Sequence, residues 1–307
     1  MLRWFLQRFL SLCPMCLCLI LITASMMDLI PGDPVDQLLG DFATLEEKTA
    51  LRSTLKLDQS LWDRQLSYLL ELKEGSLGSS LLQNRSVLTM ILERIPATIE
   101  LALASILFAL LMSLPLGFIA ALSPKSFIDK LSMFISMLGV SIPNFWLGPL
   151  FILFFSLYLG WFPVSERTGW ISLVLPAMTL GTSLAAILTR MTRNSILDTL
   201  GQDYIRTARG KGLKKFHIMV FHIFINAAQP IITIVGLQFG ALLTGAVITE
   251  KIFDWPGLGT LMLEALGSRD YPVIQGCLLF YAFSYLLINT LTDFLLILLD
   301  PPQREKL

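Results

Sequence analysis

The chain is short of charge. Asp, Glu, Lys and Arg make up 15% of its 307 residues, against about 25% in an ordinary soluble domain. It holds only two histidines and four cysteines. No G-x-x-x-x-G-K-[ST] run is present to cradle a nucleotide phosphate. Clustered His, Asp, Glu or Ser groups at catalytic spacing are missing, which argues against an integral-membrane enzyme. Formal net charge is zero, and no soluble basic face exists to meet phosphates, so the composition argues against a nucleic-acid role. A secondary transporter or channel would show inverted repeats or several buried ionisable groups. The sequence shows neither.

What fills the chain instead is hydrophobic, at 54%. Residues 9–27, 101–124, 131–165, 168–189, 223–249 and 271–292 contain no Asp, Glu, Lys or Arg. A helix needs about 20 apolar residues to cross the hydrocarbon of a bilayer. The pattern predicts six spans, near 9–28, 97–122, 132–160, 171–190, 228–249 and 274–299. Arg3 and Arg8 precede the first run, which is read as a retained span rather than a removed signal because five more follow.

Lys and Arg in the short loops set the orientation. With the N-terminus inside, that side carries 13 of them and the short outer loops carry three, Arg167, Lys251 and Arg269. Seven of the 13 fall in the 190–227 loop. The long 29–96 loop is exempt from the rule. It opens with turn chemistry at Pro31-Gly32-Asp33-Pro34. Thr44 and Glu47 resemble a capping box. Ser60 is placed to cap a second helix with Leu61, Trp62, Leu66, Leu69 and Leu70 on one face, ended by Gly75. A small helical cap on the outer membrane face is expected.

Cys13 and Cys16 form a C-x-x-C. With no second pair and no acidic or His partner, Cys13, Cys16 and Cys18 are read as apolar filling of a membrane helix. His217 and His222 lie five apart, whereas helical metal pairs lie four apart on one face. They are read as polar surface residues, and no metal site is expected.

Three features break the apolar runs. In the third, Ser141, Pro143 and Asn144 place a helix breaker and polar groups at membrane depth, either as a bend lining a pathway or as a kink that sets packing. In the fifth, Gly236 and Gly240 permit close helix approach. In the sixth, Asp293 is costly in hydrocarbon and must face protein or water.

The inner loop is the richest stretch. Ile196, Leu197, Leu200, Tyr204, Ile205 and Ala208 recur at helical spacing, followed by Arg206, Arg209, Lys211, Lys214 and Lys215. Gly210 and Gly212 are expected to end one short helix and turn the chain into a second, 216–224. Attraction of the cations to anionic lipid heads accounts for the charge but not for the glycine corner or the apolar stripe.

This loop resembles the signature of the permease subunits of bacterial ATP-driven importers, in the B-type subunit of the peptide/nickel branch. Asp203-Tyr204-Ile205-Arg206-Thr207-Ala208-Arg209, then Lys211-Gly212-Leu213, His222, Asn226 and Pro230 carry the likeness. So do Gly32-Asp33-Pro34, Leu57-Asp58, the 93–101 run, Ser141-Ile142-Pro143 with Phe145-Trp146, Trp255-Pro256-Gly257-Leu258-Gly259, Arg269-Asp270-Tyr271-Pro272 and Asp300-Pro301. Gly210 stands where that family has Ala.

The resemblance implies an all-α integral membrane protein with six transmembrane helices, a type I ABC importer permease fold and a small periplasmic helical insertion. It divides the chain into 1–28 (cytoplasmic end and first helix), 29–93 (periplasmic loop), 94–300 (core, with a coupling loop at 195–226) and 301–307 (cytoplasmic tail). The location implied is the bacterial inner membrane, with both termini cytoplasmic. Partners implied are a C-type sister permease, two cytoplasmic ATP-binding subunits, an external substrate-binding protein and the lipid bilayer. The chain binds no cofactor of its own, ATP being used by the partners. Asp203, Tyr204, Ile205, Arg206, Thr207, Ala208, Arg209, Gly210, Lys211, Gly212 and Leu213 would couple to an ATPase. Cargo would be oligopeptide or dipeptide, with nickel chelates or glutathione as alternatives.

Overall fold

A computed structural model describes residues 44–54, 58, 60–165 and 167–299, together with 10, 14, 17, 18, 20–22, 35 and 39. Cys13, Cys16, the 31–34 turn, Leu57, the 301–307 tail and most of the expected first span lie outside the described residues. Among the described residues the structure is helical, with a single isolated bridge between Ser79 and Ser86. The helices are α1 (Leu45–Thr54), α2 (Leu61–Lys73), α3 (Val87–Leu122), α4 (Phe127–Ser141), α5 (Asn144–Phe151), α6 (Val174–Leu200), α7 (Asp203–Gly210), α8 (Lys215–His217), α9 (Ile225–Gly245), α10 (Val247–Ile252), α11 (Leu258–Ser268) and α12 (Tyr271–Leu299). Two stretches of wide π-type turns, Ile152–Tyr158 and Ile218–Phe224, extend α5 and join α8 to α9.

The chain divides into two compact units, 1–98 with 256–286, and 99–255 with 287–307. In the first, the loop helices form as their caps dictate. The Glu47 amide donates to Thr44 Oγ1 at 3.3 Å, and the Thr44 amide donates to Glu47 Oε2 at 2.9 Å. Donation from the Thr44 amide, and from the Thr44 hydroxyl at 2.9 Å, holds the Glu47 carboxyl below the usual carboxylate range. Ser60 caps α2 through the Asp63 amide. Gly75, at φ +79°, ends it, with Ser76 N–H reaching back to the Glu71 carbonyl. Trp62, Leu66, Leu69 and Leu70 stand exposed on α2.

The core of this unit gathers Val87 and Ile91 of α3, Leu258 and Leu261 of α11, and Val273 and Cys277 of α12. Gly276 makes it possible, because a Cβ there would lie 2.5 Å from Val87 Cγ1. Asp270, buried, accepts from Ser80 Oγ at 2.5 Å and from the Leu81 amide at 3.1 Å. Thr98 Oγ1 accepts from the Leu258 amide at 2.8 Å, fixing the start of α11.

In the second unit α6 is central. Ala185, Leu184 and Leu188 pack with Ile106 and Ala109 of α3 and Ile231 of α9. Glycines bring the backbones close. A Cβ on Gly181 would meet the Ser105 carbonyl at 2.8 Å, and one on Gly117 the Thr189 carbonyl at 2.7 Å. Gly236 admits α12 in the same way, since a Cβ there would overlap Thr292 Oγ1. The expected small-residue packing on the fifth apolar run is therefore intramolecular.

Among the described residues, four helical runs are long and apolar enough to cross a membrane: Val87–Leu122, Val174–Leu200, Lys215–Thr244 and Tyr271–Leu298. The third expected span is not one straight helix. It breaks into α4 and α5 with its continuation, which meet at 101° and count as a fifth crossing only if taken together. Boundaries also differ from expectation. α6 runs on to Leu200, because Arg190 and Arg193 end an apolar run but do not break a helix. The expected short helix 216–224 merges through its wide turns into α9, and Pro230 sits inside that helix, where membrane helices tolerate proline.

Candidate coupling loop and broken span

Between α6 and the α8–α9 run, the chain makes a short amphipathic helix and a corner. Gly201 and Gln202 close α6, their amides reaching the Leu197 and Thr199 carbonyls. α7 then begins at Asp203. On it, Ile205 is fully buried and Ala208 nearly so, while Asp203, Tyr204, Arg206, Thr207, Arg209 and Gly210 are exposed. Ile205 and Ala208 pack with Ile196 of α6, Ala121 of α3, and Ile218 and Ile223 beyond the corner. Burying a side chain such as Ile205 contributes about 1.5–3 kcal/mol. The helix is therefore seated by its apolar stripe and presents its polar face outward.

The corner closes α7 with every terminal amide used. Leu213 N–H donates to the Ala208 carbonyl at 3.3 Å and Gly212 N–H to Arg209 at 3.0 Å, the paired bonds of a Schellman turn. Gly212 takes φ +77°, a conformation that costs an L residue about 1–2 kcal/mol. Gly210 is different. Its φ is helical, and nothing lies within 4 Å of a Cβ built there. Arg206 and Asp203 sit 3.6 Å apart and well exposed, a pairing of little energetic weight. Partial burial pushes the Tyr204 phenol above its usual range. Arg209, Leu213 and Lys215 border a cavity of about 540 Å³ walled also by Phe118, Leu122 and Leu200.

The eleven loop residues thus divide into two seating residues, a turn at 211–213 and an outward face. His217 and His222 have ring centroids 5.8 Å apart, with His217 exposed.

The broken span has a different construction. Ile142 is extended (φ −87°, ψ 119°), as a residue before proline prefers. Pro143 caps α5, its carbonyl accepting from the Trp146 and Leu147 amides at 3.0 Å. Ser141 Oγ donates back to the Met137 carbonyl at 2.8 Å, so the polar group inside the apolar run is satisfied locally. Ser141 and Pro143 are exposed and Asn144 is half-buried. Asp293 lies apart on α12, half-buried and engaged in an interaction of its own.

Two ion pairs of this unit escaped the sequence. Arg167 donates through Nε at 2.9 Å and Nη2 at 2.6 Å to Glu100 Oε2, and its guanidinium lies 5.9 Å from the Trp255 ring. Arg193 clamps the buried Asp129 through both Nε and Nη2. No local spacing marks either pair, since the partners stand 67 and 64 positions apart.

Residues 113–305 match the family model described as the binding-protein-dependent transport system inner membrane component. Across 306 residues the chain is 37% identical to the glutathione transport system permease protein GsiC of Escherichia coli O6:H1 (strain CFT073), with all of both chains covered. The same identity and coverage hold for GsiC of Salmonella paratyphi A. In fold it resembles a chain of the MetNI methionine ABC transporter solved in inward-facing conformations. There the TM-score is 0.57 at 17% identity, covering 69% of this chain and 97% of that one. On the residues and the fold together, the chain belongs to the binding-protein-dependent transport system inner membrane components, as a permease of an ABC importer with the type I fold.

Proposed function

We propose that this permease forms half of a pathway that imports short peptides, glutathione among them, in partnership with a C-type sister permease. ATP-binding partners and a binding protein are expected of any permease of this kind. The finer assignment is that the outward face of α7 sits in a groove on one of two ATPases, and that an external binding protein delivers the cargo. The peptide class is supported by the full-length likeness to permeases named for glutathione transport, glutathione being itself a tripeptide. Nickel chelates are the alternative cargo.

The observation that carries the reading is α7 itself. It is a cationic helix at the inner end of two membrane-length helices, seated by Ile205 and Ala208 and turned by Gly212. Closure of the ATPases would displace it as a unit, and the helices would exchange inward for outward access, each state favoured by its own contacts. The Lys and Arg asymmetry of the short loops supports cytoplasmic termini, with 29–93 outside and 195–226 inside. Ser141, Pro143, Asn144 and Asp293 are assigned to the pathway and its bend. ATP hydrolysis stays with the partners, and the chain itself carries out no catalysis and holds no cofactor.

Reconstitution with the sister permease, ATPases and binding protein tests this. Glutathione, dipeptides, longer peptides and nickel chelates are screened for uptake and for stimulated ATP hydrolysis. Uptake of a peptide with matching ATP consumption is the expected result. Full uptake by the purified chain alone, with no ATPase, would overturn it in favour of a secondary transporter or channel.

A further inference from the structure

The pair formed by Asp129 and Arg193 has no part in the proposed import cycle, yet it is a deeply set charge contact of its unit. Asp129 is 3% exposed. Its Oδ1 accepts from Arg193 Nε at 2.5 Å and its Oδ2 from Nη2 at 2.7 Å. Oδ2 also accepts from the Lys125 amide at 2.8 Å, and the Asp129 amide donates to Ser126 Oγ at 3.2 Å. Both carboxylate oxygens are therefore used, and the parallel fork of the guanidinium fixes direction as well as distance. A single ammonium in place of the guanidinium would hold the charge without fixing the angle.

The pair pins the first turn of α4 to α6. Farther along, α4 turns small residues inward. Ser132 and Ser136 are buried, with Ser136 Oγ satisfied by the Ser132 carbonyl at 2.8 Å. Near its end, a Cβ on Gly139 would lie 3.0 Å from Ala186 Cβ. α4 is thus held to α6 at both ends, by a charge fork at one and by near backbone contact at the other. Seven residues beyond Arg193, α6 ends and the chain enters α7. Two residues beyond Gly139, α4 ends at the 101° break.

We infer that α4 and α6 move as one body, and that Asp129 and Arg193 are positioning residues that carry displacement of α7 to the broken span at 141–143. The inference rests on the coupling role proposed for α7. A buried carboxylate is a poor choice for stability alone, because apolar residues of similar volume often serve as well or better. What the fork provides that packing does not is a fixed rotation between two helices.

The test uses the complete transporter in vesicles, measuring substrate taken up and ATP hydrolysed in the same sample. Asp129→Asn and Arg193→Gln are expected to lower uptake per ATP by about tenfold, within the range of an allosteric coupling. Arg193→Lys should lose less, and Asp129→Arg with Arg193→Asp should recover part of the ratio. An unchanged ratio in both single variants overturns the inference.

A second measurement holds even where those variants fail to assemble. Gly139→Cys with Ala186→Cys is made in a background lacking the four native cysteines. The two Cβ positions, 3.0 Å apart, must open by about 0.8 Å to reach the roughly 3.8 Å of a disulfide. If α4 and α6 travel together, oxidation leaves uptake unchanged, whereas arrest of uptake on oxidation overturns the inference. This arm still reports on the α4–α6 body should α7 prove to have no coupling role, so the two failures are distinguishable.

Discussion

Two interruptions of helix lie in the same unit and are built in opposite ways. At 210–213 the chain turns at a glycine, every terminal amide finds a carbonyl, and the apolar side of α7 is buried against its own unit. At 141–144 the chain turns at a proline, and Ser141 and Pro143 stay exposed, as do the large flanking side chains Phe145 and Trp146. The first is the more finished surface: nothing apolar is left over on α7 except part of Tyr204, although Leu213 and Phe216 just beyond it stand exposed, so a partner there meets charge and a fixed shape with a small apolar edge. The second is unfinished, and its exposed aromatic groups suit lipid or another membrane chain. A break in a helix takes its meaning from what is buried on either side of it.

The sharpest way to break this contrast is at Gly212. Replacing it with Trp forces a bulky L residue to φ +77° and disrupts the Schellman turn. Uptake should fall to background while insertion in the membrane and ATP hydrolysis persist, measured on vesicles of the assembled transporter. Undiminished uptake would remove α7 from the mechanism.

Next is the seat. Ile205→Ala empties a fully buried position and should cost about 2–5 kcal/mol in the stability of the unit. Limited proteolysis would detect it as faster cleavage within 200–215. Equal cleavage rates would mean that the apolar stripe does not hold the helix down.

A smaller effect is expected at the other break. Pro143→Ala returns an amide to the chain and relaxes the restriction on Ile142. The bend should become less fixed, which spin labels flanking it would report as a broader distance distribution. Because α4 stays pinned at Gly139 and Asp129, uptake should drop by no more than about fivefold, the low end of known couplings. A distribution as narrow as before would place the cause of the bend elsewhere.

The smallest change belongs to Gly210→Ala. The position is helical with open space around it, and alanine favours a helix over glycine by up to about 1 kcal/mol. A slight stabilisation of α7 with unaltered coupling is expected from hydrogen exchange. Set beside Gly212, it separates a glycine that is required from one that is merely present.

Much of this was legible in the sequence because it was local. Capping at Thr44 and Ser60, the stop at Gly75, the break at Pro143 and the turn at Gly212 each follow from one to four neighbouring residues, and the structure bears them out. Periodicity also marked Ile196, Leu197, Leu200, Tyr204, Ile205 and Ala208 as one stripe; Ile196, Ile205 and Ala208 are buried as it implies, whereas Tyr204 stands exposed. Lengths were less legible. Charge ends an apolar run but not a helix, so α6 extends past Arg190 and Arg193 to Leu200. Pairings such as Asp129 with Arg193 and Ser80 with Asp270 were invisible, because they are set by which helices lie side by side. The magnitude of the break, a right angle rather than a kink, was likewise a matter of tertiary packing.

One consequence follows from the uninterrupted run of α6. Its 27 residues span about 40 Å at 1.5 Å each, while the hydrocarbon layer is about 30 Å thick. The surplus is stiff rod, with no slack tether between the bilayer and the segment that follows. If partners act on the far tip as proposed, a rod of this length would deliver their push inside the oily layer.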